Sequence, residues 1–375
     1  ISCRRTRESL FRLIEEMEIK YVDLFYFFKS QLSICYVNTM ISGRLRRIDP
    51  GSVTGLLADH LDQKTAEYIK TVLRISSIKD ETGQMRPIFR SFYSKDPRSR
   101  ANAVEGIENI MAPAMVKILM PLIDGSSQVK VIKTANRHFE LPEVGDDPGG
   151  ICSYLAGRED WVTVMLALSC AVEKKLDDLN TDMLARLAGS DYIVIKKLAE
   201  TLLSGRFDTG EDEMEQSLSL YEKVVHIQKV DIFKELDINE LAAIAAITEE
   251  TVYPEGYTVF TEGEVSETMY IAVTGEVQVS RNKTEVGRFR TGDSFGLSAF
   301  LVDDRRLVTC TTVKETRLLV IHKREFEEML MEYPQISLEL AKIHAKMIQR
   351  LLNKIGSEDN TCDYALEDFF NRAKE

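Results

Sequence analysis

No two cysteines of this chain lie close enough in sequence to clasp a metal or to define a disulfide framework. The six, Cys3, Cys35, Cys152, Cys170, Cys310 and Cys362, are widely scattered and contain no C-x-x-C pair. That scatter argues against a zinc site or a stapled secreted domain and fits a reducing, cytoplasmic compartment. Also missing is any apolar run approaching the ~18–20 residues of a membrane span. Histidines stand alone at 60, 138, 226, 322 and 344, none with a Cys or carboxylate at ligand spacing. His138 and His226 therefore read as surface or packing residues, and no metal site is expected. There is no G-x-S-x-G, H-E-x-x-H, P-loop or Rossmann fingerprint. The expectation is a protein that is not an enzyme and has no catalytic residue and no cofactor. Finally, the net charge of −12 disfavours nucleic acid as the main partner.

What is present is ordinary globular material. Of 375 residues, 44% are hydrophobic and 29% charged, enough for two or three domains with real cores. Charge is uneven: residues 1–50 carry nine Lys/Arg and six Asp/Glu, a net of +3, which leaves −15 for the rest. The chain starts at Ile1 rather than Met, so a longer parent is expected.

The first two hundred residues have helical periodicity. Leu10, Phe11, Leu13, Ile14, Met17 and Tyr21 recur near the 3.6 period. The stretch from Gly43 to Gly55, with Pro50 between, reads as a connector. At 96–111, Asp96 is a good N-cap, Pro97 sits at the tolerated first position, and Ala101, Val104, Ile107 and Ile110 form the expected buried stripe. Comparable starts follow Asp160 and Asp191, 31 residues apart, and Asp96 lies 64 before Asp160. Repeating helix pairs of this kind predict an α-solenoid. The Asp-Pro-x-x-Arg-x-x-Ala pattern resembles a HEAT repeat; an irregular bundle with coincident caps is the alternative. The run `PEVGDDPGG` at 142–150 reads as a mobile loop and `SGRFDTGEDE` at 204–213 as a flexible acidic one.

From 253 to 313 the texture changes. Glycines at 256, 263, 275, 287, 292 and 296 punctuate short β-branched and aromatic runs, the signal of antiparallel hairpins in a sandwich or jelly roll. Within it, `GDSFGLSAFLVDDRR` places a glycine turn before a short apolar helix and two arginines, the ingredients of a phosphate cradle. The glycines serve turns whether or not anything binds. Arg305 and Arg306 also follow Asp303 and Asp304, with which they could form surface ion pairs instead.

The order Tyr253-Pro254-x-Gly256, Phe260-x-x-Gly263, Met269-Tyr270-Ile271, Gly275-x-Val277, Gly292-Asp293-x-Phe295-Gly296 and Arg306 resembles the cyclic nucleotide-binding domain. That family includes protein kinase A regulatory subunits, the catabolite activator protein and many channels, and the resemblance covers roughly 230–355. It implies a β jelly roll with a phosphate-binding cassette and a helical lid. By position, Gly296, Leu297, Ser298 and Ala299 would line the phosphate turn, Arg305 and Arg306 would face the anion, and Thr309 would sit near the base. In the family the residue after Phe-Gly is usually Glu, accepting from the ribose hydroxyl, and the residue before the arginine is usually Pro. Leu297 offers no acceptor, which costs a bound cAMP about 1–3 kcal/mol, roughly ten- to a hundredfold in affinity. A changed ligand, a weak site and an empty site all follow as expectations, and the second arginine suits a more anionic ligand.

The fold expected is thus α+β and multidomain: a HEAT/ARM-like helical domain (1–213), a linking helix (214–235), a jelly-roll domain with its C-terminal helix (236–355) and an acidic tail (356–375). In that last helix Ile336, Leu340, Ile343, Met347 and Leu351 form a stripe suited to packing on the β unit or on a second copy, a homodimer. Too little chain follows the β unit for a helix-turn-helix. The combination also resembles the soluble C-terminal region of bacterial proteins with an ATP/ADP-translocase-like membrane part, which implies a membrane link only through an upstream segment absent from this chain. The function expected is a cyclic-nucleotide sensor module, its ligand cAMP or a related anion, coupled to a helical scaffold with a protein partner. The alternative is a degenerate nucleotide-binding fold that serves as an interaction module.

Overall fold

A computed structural model describes residues 11, 14–15, 17, 21–50, 52–205, 207, 217–297, 300 and 305–355. The chain divides into two units, residues 1–216 and 217–375.

The first unit is helical. Its spine is a hairpin of two long helices, α1 (Tyr21–Ile48) and α2 (Val53–Lys79). Because α1 runs through Ile48, the connector is only residues 49–52, and Gly43 lies inside a helix rather than in the expected linker. A β-carbon at Gly43 would meet only the end of the exposed Gln128 side chain, at 1.8 Å from its Nε2, so the glycine is not required there by the backbone. The stripe expected to run into α1 is interrupted, since Met17 sits at a bend and is exposed, whereas Phe11 is buried. Leu10 and Leu13 lie outside the described residues.

Shorter helices follow: α3 (Met85–Phe92), α4 (Pro97–Ile110), α5 (Pro113–Ile123), α6 (Gln128–His138), α7 (Pro148–Ala156), α8 (Trp161–Glu173), α9 (Thr181–Leu187) and α10 (Ile193–Ser204). One core joins Leu32 and Cys35 of α1, Val72 and Leu73 of α2, Phe92, Ile107 and Leu119. Helix α8 is buried from Val162 to Ala171, as an apolar helix without a polar face must be.

Asp96 caps α4 by accepting from the backbone N–H of Arg98 and Ser99, and Asp160 caps α8 through Thr163. Asp191 does not continue the series: the cap of α10 is Tyr192, without a side-chain bond, and Asp191 is exposed. In α4 the buried positions are Ala103 and Ile107, with Val104 and Ile110 partly covered, while Ala101 is exposed. Within the 142–150 segment, Pro148 to Gly150 open α7, and Arg44 contacts the residues before them. Arg44 donates to the carbonyls of Val144 (2.9 Å) and Gly145 (3.3 Å) and pairs with Asp146 (2.9 Å). Of the acidic 204–213 stretch, most lies outside the described residues.

The second unit opens with α11 (Leu220–Lys229), started by a Ser219–Glu222 capping box, and α12 (Ile238–Ala246), started by Asp237–Glu240. Glu250 holds the segment before α11 in place by accepting from Leu218 N (2.6 Å) and Ser217 Oγ (3.0 Å), and it pairs with Arg317 at 3.0 Å.

Among the described residues eight strands follow: β1 (Thr248–Tyr253), β2 (Thr258–Phe260), β3 (Thr268–Thr274), β4 (Glu276–Arg281), β5 (Thr284–Arg290), β6 (Ser294–Phe295), β7 (Thr309–Thr312) and β8 (Thr316–His322). They form two antiparallel sheets, in the orders β1-β8-β3-β6 and β2-β7-β4-β5. The β4–β5 turn is Asn282-Lys283, both at positive φ (50° and 66°), the geometry that matches strand twist in a two-residue hairpin.

Alternate residues of the strands meet in one core: Phe260, Tyr270, Ala272, Val277, Val279, Phe295, Cys310, Leu318 and Val320. Met269, Ile271, Leu319 and Ile321, on the opposite face of β3 and β8, are buried as well. After β8 come α13 (Lys323–Glu332), packed on that strand, and α14 (Pro334–Ile355), where the described residues stop. Ile336 and Leu340 are buried and Ile343 is half-buried; the side chains of Met347 and Leu351 lie outside the described residues.

Candidate functional site

The site is built on an arginine that has left the surface. Arg306 is only 4% exposed. Its backbone is fixed by a reciprocal pair of bonds, Arg306 N donating to Glu264 O and Gly263 N donating to Arg306 O, each at 2.8 Å. The side chain then runs inward between the sheets. Nη1 donates to the carbonyl of Gly296 (3.0 Å), and Nη2 donates to the carbonyl (2.6 Å) and hydroxyl (3.1 Å) of Thr268. The guanidinium plane lies over Phe260, with Cζ 4.1 Å from the ring centroid, a favourable contact for a delocalised cation. Behind Phe260, the rings of Tyr270, Phe295 and Phe289 stack at 5.0–5.2 Å.

The electrostatics of this arrangement are unusual. Among the described residues no carboxylate forms an ion pair with Arg306, and its Nε has no hydrogen-bond partner. A buried cation normally demands an anion, because desolvation is costly and neutral carbonyls return only part of it. Burial accordingly pulls the Arg306 pKa below its ordinary value, partly offset by Tyr270 and Glu264. The guanidinium stays charged regardless. Glu264 itself is engaged elsewhere, accepting from Thr261 N (2.9 Å) and Thr261 Oγ1 (3.1 Å).

Gly296 is the only kind of residue that fits opposite this arginine. It has φ +83°, and a β-carbon there would lie 2.5 Å from Arg306 Nη1. Leu297 follows it, half-buried. Ser298 and Ala299 lie outside the described residues. Arg305 is separated from its neighbour: it is exposed and donates to Gly263 O at 2.7 Å. Thr309, on β7, accepts from Glu262 N (2.9 Å). The structure therefore brings Gly296 and Arg306 together and turns Arg305 outward. Asp303 and Asp304, with which the ion-pair alternative would pair the arginines, lie outside the described residues. Thr268 and Phe260, which hold the arginine, carry no sequence signal for that role, since each meets it only through the sheet pairing.

A second polar cluster lies in the helical unit. His60 is fully buried, its Nε2 at 2.8 Å from Thr163 Oγ1 and 3.2 Å from Asp160 Oδ2. Lys64 Nζ adds 3.1 Å to Asp160 Oδ1. In sequence His60 stands alone, and it finds its carboxylate a hundred residues away. This is not a nucleophile relay. Both contacts use one ring nitrogen, whereas a general base needs one nitrogen for the nucleophile and the other for the orienting carboxylate. Asp160 is held far below the ordinary carboxylate range because His60, Lys64 and Thr163 outweigh the cost of its burial. Among the described residues no group of His, Cys, Asp and Glu is arranged to hold a metal, and no helix is long and apolar enough to cross a membrane.

The second unit thus sets a buried arginine against a glycine turn between two antiparallel sheets. Residues 250–333 match the family model of the cyclic nucleotide-binding domain, and this part of the chain is a domain of that family. The CRP-like cAMP-activated global transcriptional regulator of Mycobacterium tuberculosis is 25% identical over 136 residues, 35% of this chain and 60% of the relative. A lysophospholipase of Neurospora crassa is 26% identical over 113 residues, 28% of this chain but 8% of that protein. Among solved structures, the Thermus thermophilus catabolite activator protein aligns at 19% identity and TM-score 0.31, covering 33% of this chain and 61% of that one. The regulatory domain of Toxoplasma gondii protein kinase A with cAMP aligns at 23% and 0.28, covering 32% and 46%. The chain thus spans less than two thirds of each of these proteins.

Proposed function

We propose that the C-terminal unit is a sensor module for a cyclic nucleotide or a related anion, which docks at Arg306 beside Gly296 and shifts how the helical unit engages a protein partner. The observation that carries this reading is the buried guanidinium with an unpartnered Nε and no carboxylate among the described residues. An anion would supply the missing charge and the missing acceptor together. The two sheet orders support reading the domain as a jelly roll, with α13 and α14 as its lid. Coupling requires the ligand to prefer one of two states, and the helix after β8 is the element placed to report it. The helical unit reads as a HEAT-like scaffold, its paired helices α3/α4, α7/α8 and α9/α10 packed as neighbours. Cytoplasmic placement and attachment to an upstream membrane transporter belong to the same proposal.

A second reading has its own observation. Gly296 and Thr268 already occupy part of the arginine fork, and Leu297 gives a sugar no acceptor. On that reading the fold is degenerate and Arg306 is an internal strut for an interaction module. Calorimetric titration of the purified chain with cAMP, cGMP and cyclic dinucleotides separates the two, with Arg306→Lys, which keeps the charge and loses the fork, alongside. Binding below millimolar that the variant weakens supports the sensor; no binding, or an indifferent variant, leaves the strut.

A further inference from the structure

The segment that wraps Arg306 contains a residue whose burial runs against its chemistry. Glu264 accepts from the Arg306 backbone N–H (2.8 Å) and Thr268 accepts from its Nη2 (2.6 Å), so the arc from 264 to 268 follows the arginine. Within the arc Val265 is 59% exposed, whereas Ser266 is 3% exposed. The apolar residue faces water and the hydroxyl faces the interior, the reverse of what burial favours. From Val265 to Thr268 exposure alternates, with Val265 and Glu267 exposed, Ser266 buried and Thr268 half-buried, which places Ser266 on the same inward side as Thr268. Among the described residues the Ser266 hydroxyl has no hydrogen-bond partner, and neither has Arg306 Nε. Local rules are broken in this way where a site is kept ready for something else.

We propose that Ser266 is a second ligand contact of this site, its hydroxyl donating to the same anion that Arg306 binds. Two unpartnered donors, one of them cationic, call for a ligand whose oxygens are close together and carry negative charge, as in a phosphodiester. The inference rests on the reading of Arg306 as an anion site, and it adds a residue that neither the glycine frame nor the arginine signals.

A hydroxyl kept for a ligand has a signature that a structural hydroxyl lacks. Removing it relieves the unliganded protein of an unsatisfied polar group and costs the complex a charge-assisted bond. Ser266→Ala is therefore expected to unfold at the same or a higher temperature than the wild type without ligand, yet to bind cAMP or cGMP about tenfold more weakly. The experiment is calorimetry with cAMP, cGMP and cyclic dinucleotides, plus melting with and without nucleotide, on the full chain, Ser266→Ala and Arg306→Lys. If Ser266→Ala binds as the wild type does while Arg306→Lys is weakened, Ser266 is no contact and the anion site stands. A Ser266→Ala protein that binds weakly and also melts lower without ligand has lost a structural group, which overturns the proposal. If cAMP, cGMP and the cyclic dinucleotides all fail to bind the wild type, the anion-site reading falls and this inference falls with it.

Discussion

Arg306 Nη1 donates to the Gly296 carbonyl at 3.0 Å, and a β-carbon on Gly296 would lie 2.5 Å from that same nitrogen. The pair leaves no room for any side chain at 296. The glycine permits the turn at φ +83° and, independently, permits the guanidinium to reach its backbone.

Gly296→Ala should therefore act twice. The left-handed conformation and the collision with Nη1 together predict a loss of about 1–3 kcal/mol. Arg306 must also shift, so any anion binding falls with it. Urea unfolding and calorimetry check both effects. A variant with wild-type stability and affinity would show that the guanidinium is mobile rather than held.

Leu297→Glu restores an acceptor beside the glycine turn. If the pocket takes a ribose in the orientation the family implies, cAMP should bind roughly ten- to a hundredfold more tightly than to the parent. The gain should vanish for 2′-deoxy-cAMP, which lacks the donor. An equal gain for both nucleotides points to general electrostatics, and no gain means that Leu297 does not face the sugar.

Asp160 ties α8 to α2, and its consequence is a pH dependence. Its folded-state pKa is depressed by His60, Lys64 and Thr163, so the unfolded chain binds the proton more readily. The stabilisation is present above the unfolded carboxylate value near ~3.9 and is lost as pH falls from there towards the folded value. Asp160→Asn should lower stability at pH 7 by about 1–3 kcal/mol and flatten the acid limb below about pH 5. Melting curves from pH 3 to 7 test this; an unchanged acid limb in the variant would mean that other carboxylates set it.

Much of the molecule was written in local pattern. Asp96 with Pro97, and Asp160 before an apolar run, define helix starts because a cap needs only a side chain two or three residues from an N–H. The β unit was legible for the same reason, its turns marked by glycines and its strands by alternation, and the order of motifs to Gly296 and Arg306 located the candidate site. Asp191 shows the limit: it has the residue type of a cap, yet the helix begins one residue later. Val265 and Ser266 show it more sharply, since their order of burial inverts what their chemistry suggests.

What tertiary structure alone decided is where the side chains go. In sequence Arg305 and Arg306 are equivalent neighbours; on an extended backbone they point to opposite sides, so one reaches the surface and Gly263 while the other enters the core and meets Phe260. His60 acquires Asp160 across a hundred residues only when α2 packs on α8. Composition and periodicity fix the elements, because those depend on near neighbours. The candidate site depends on one arginine, one glycine carbonyl and one threonine that the tertiary structure brings together, and no local rule contains that distance.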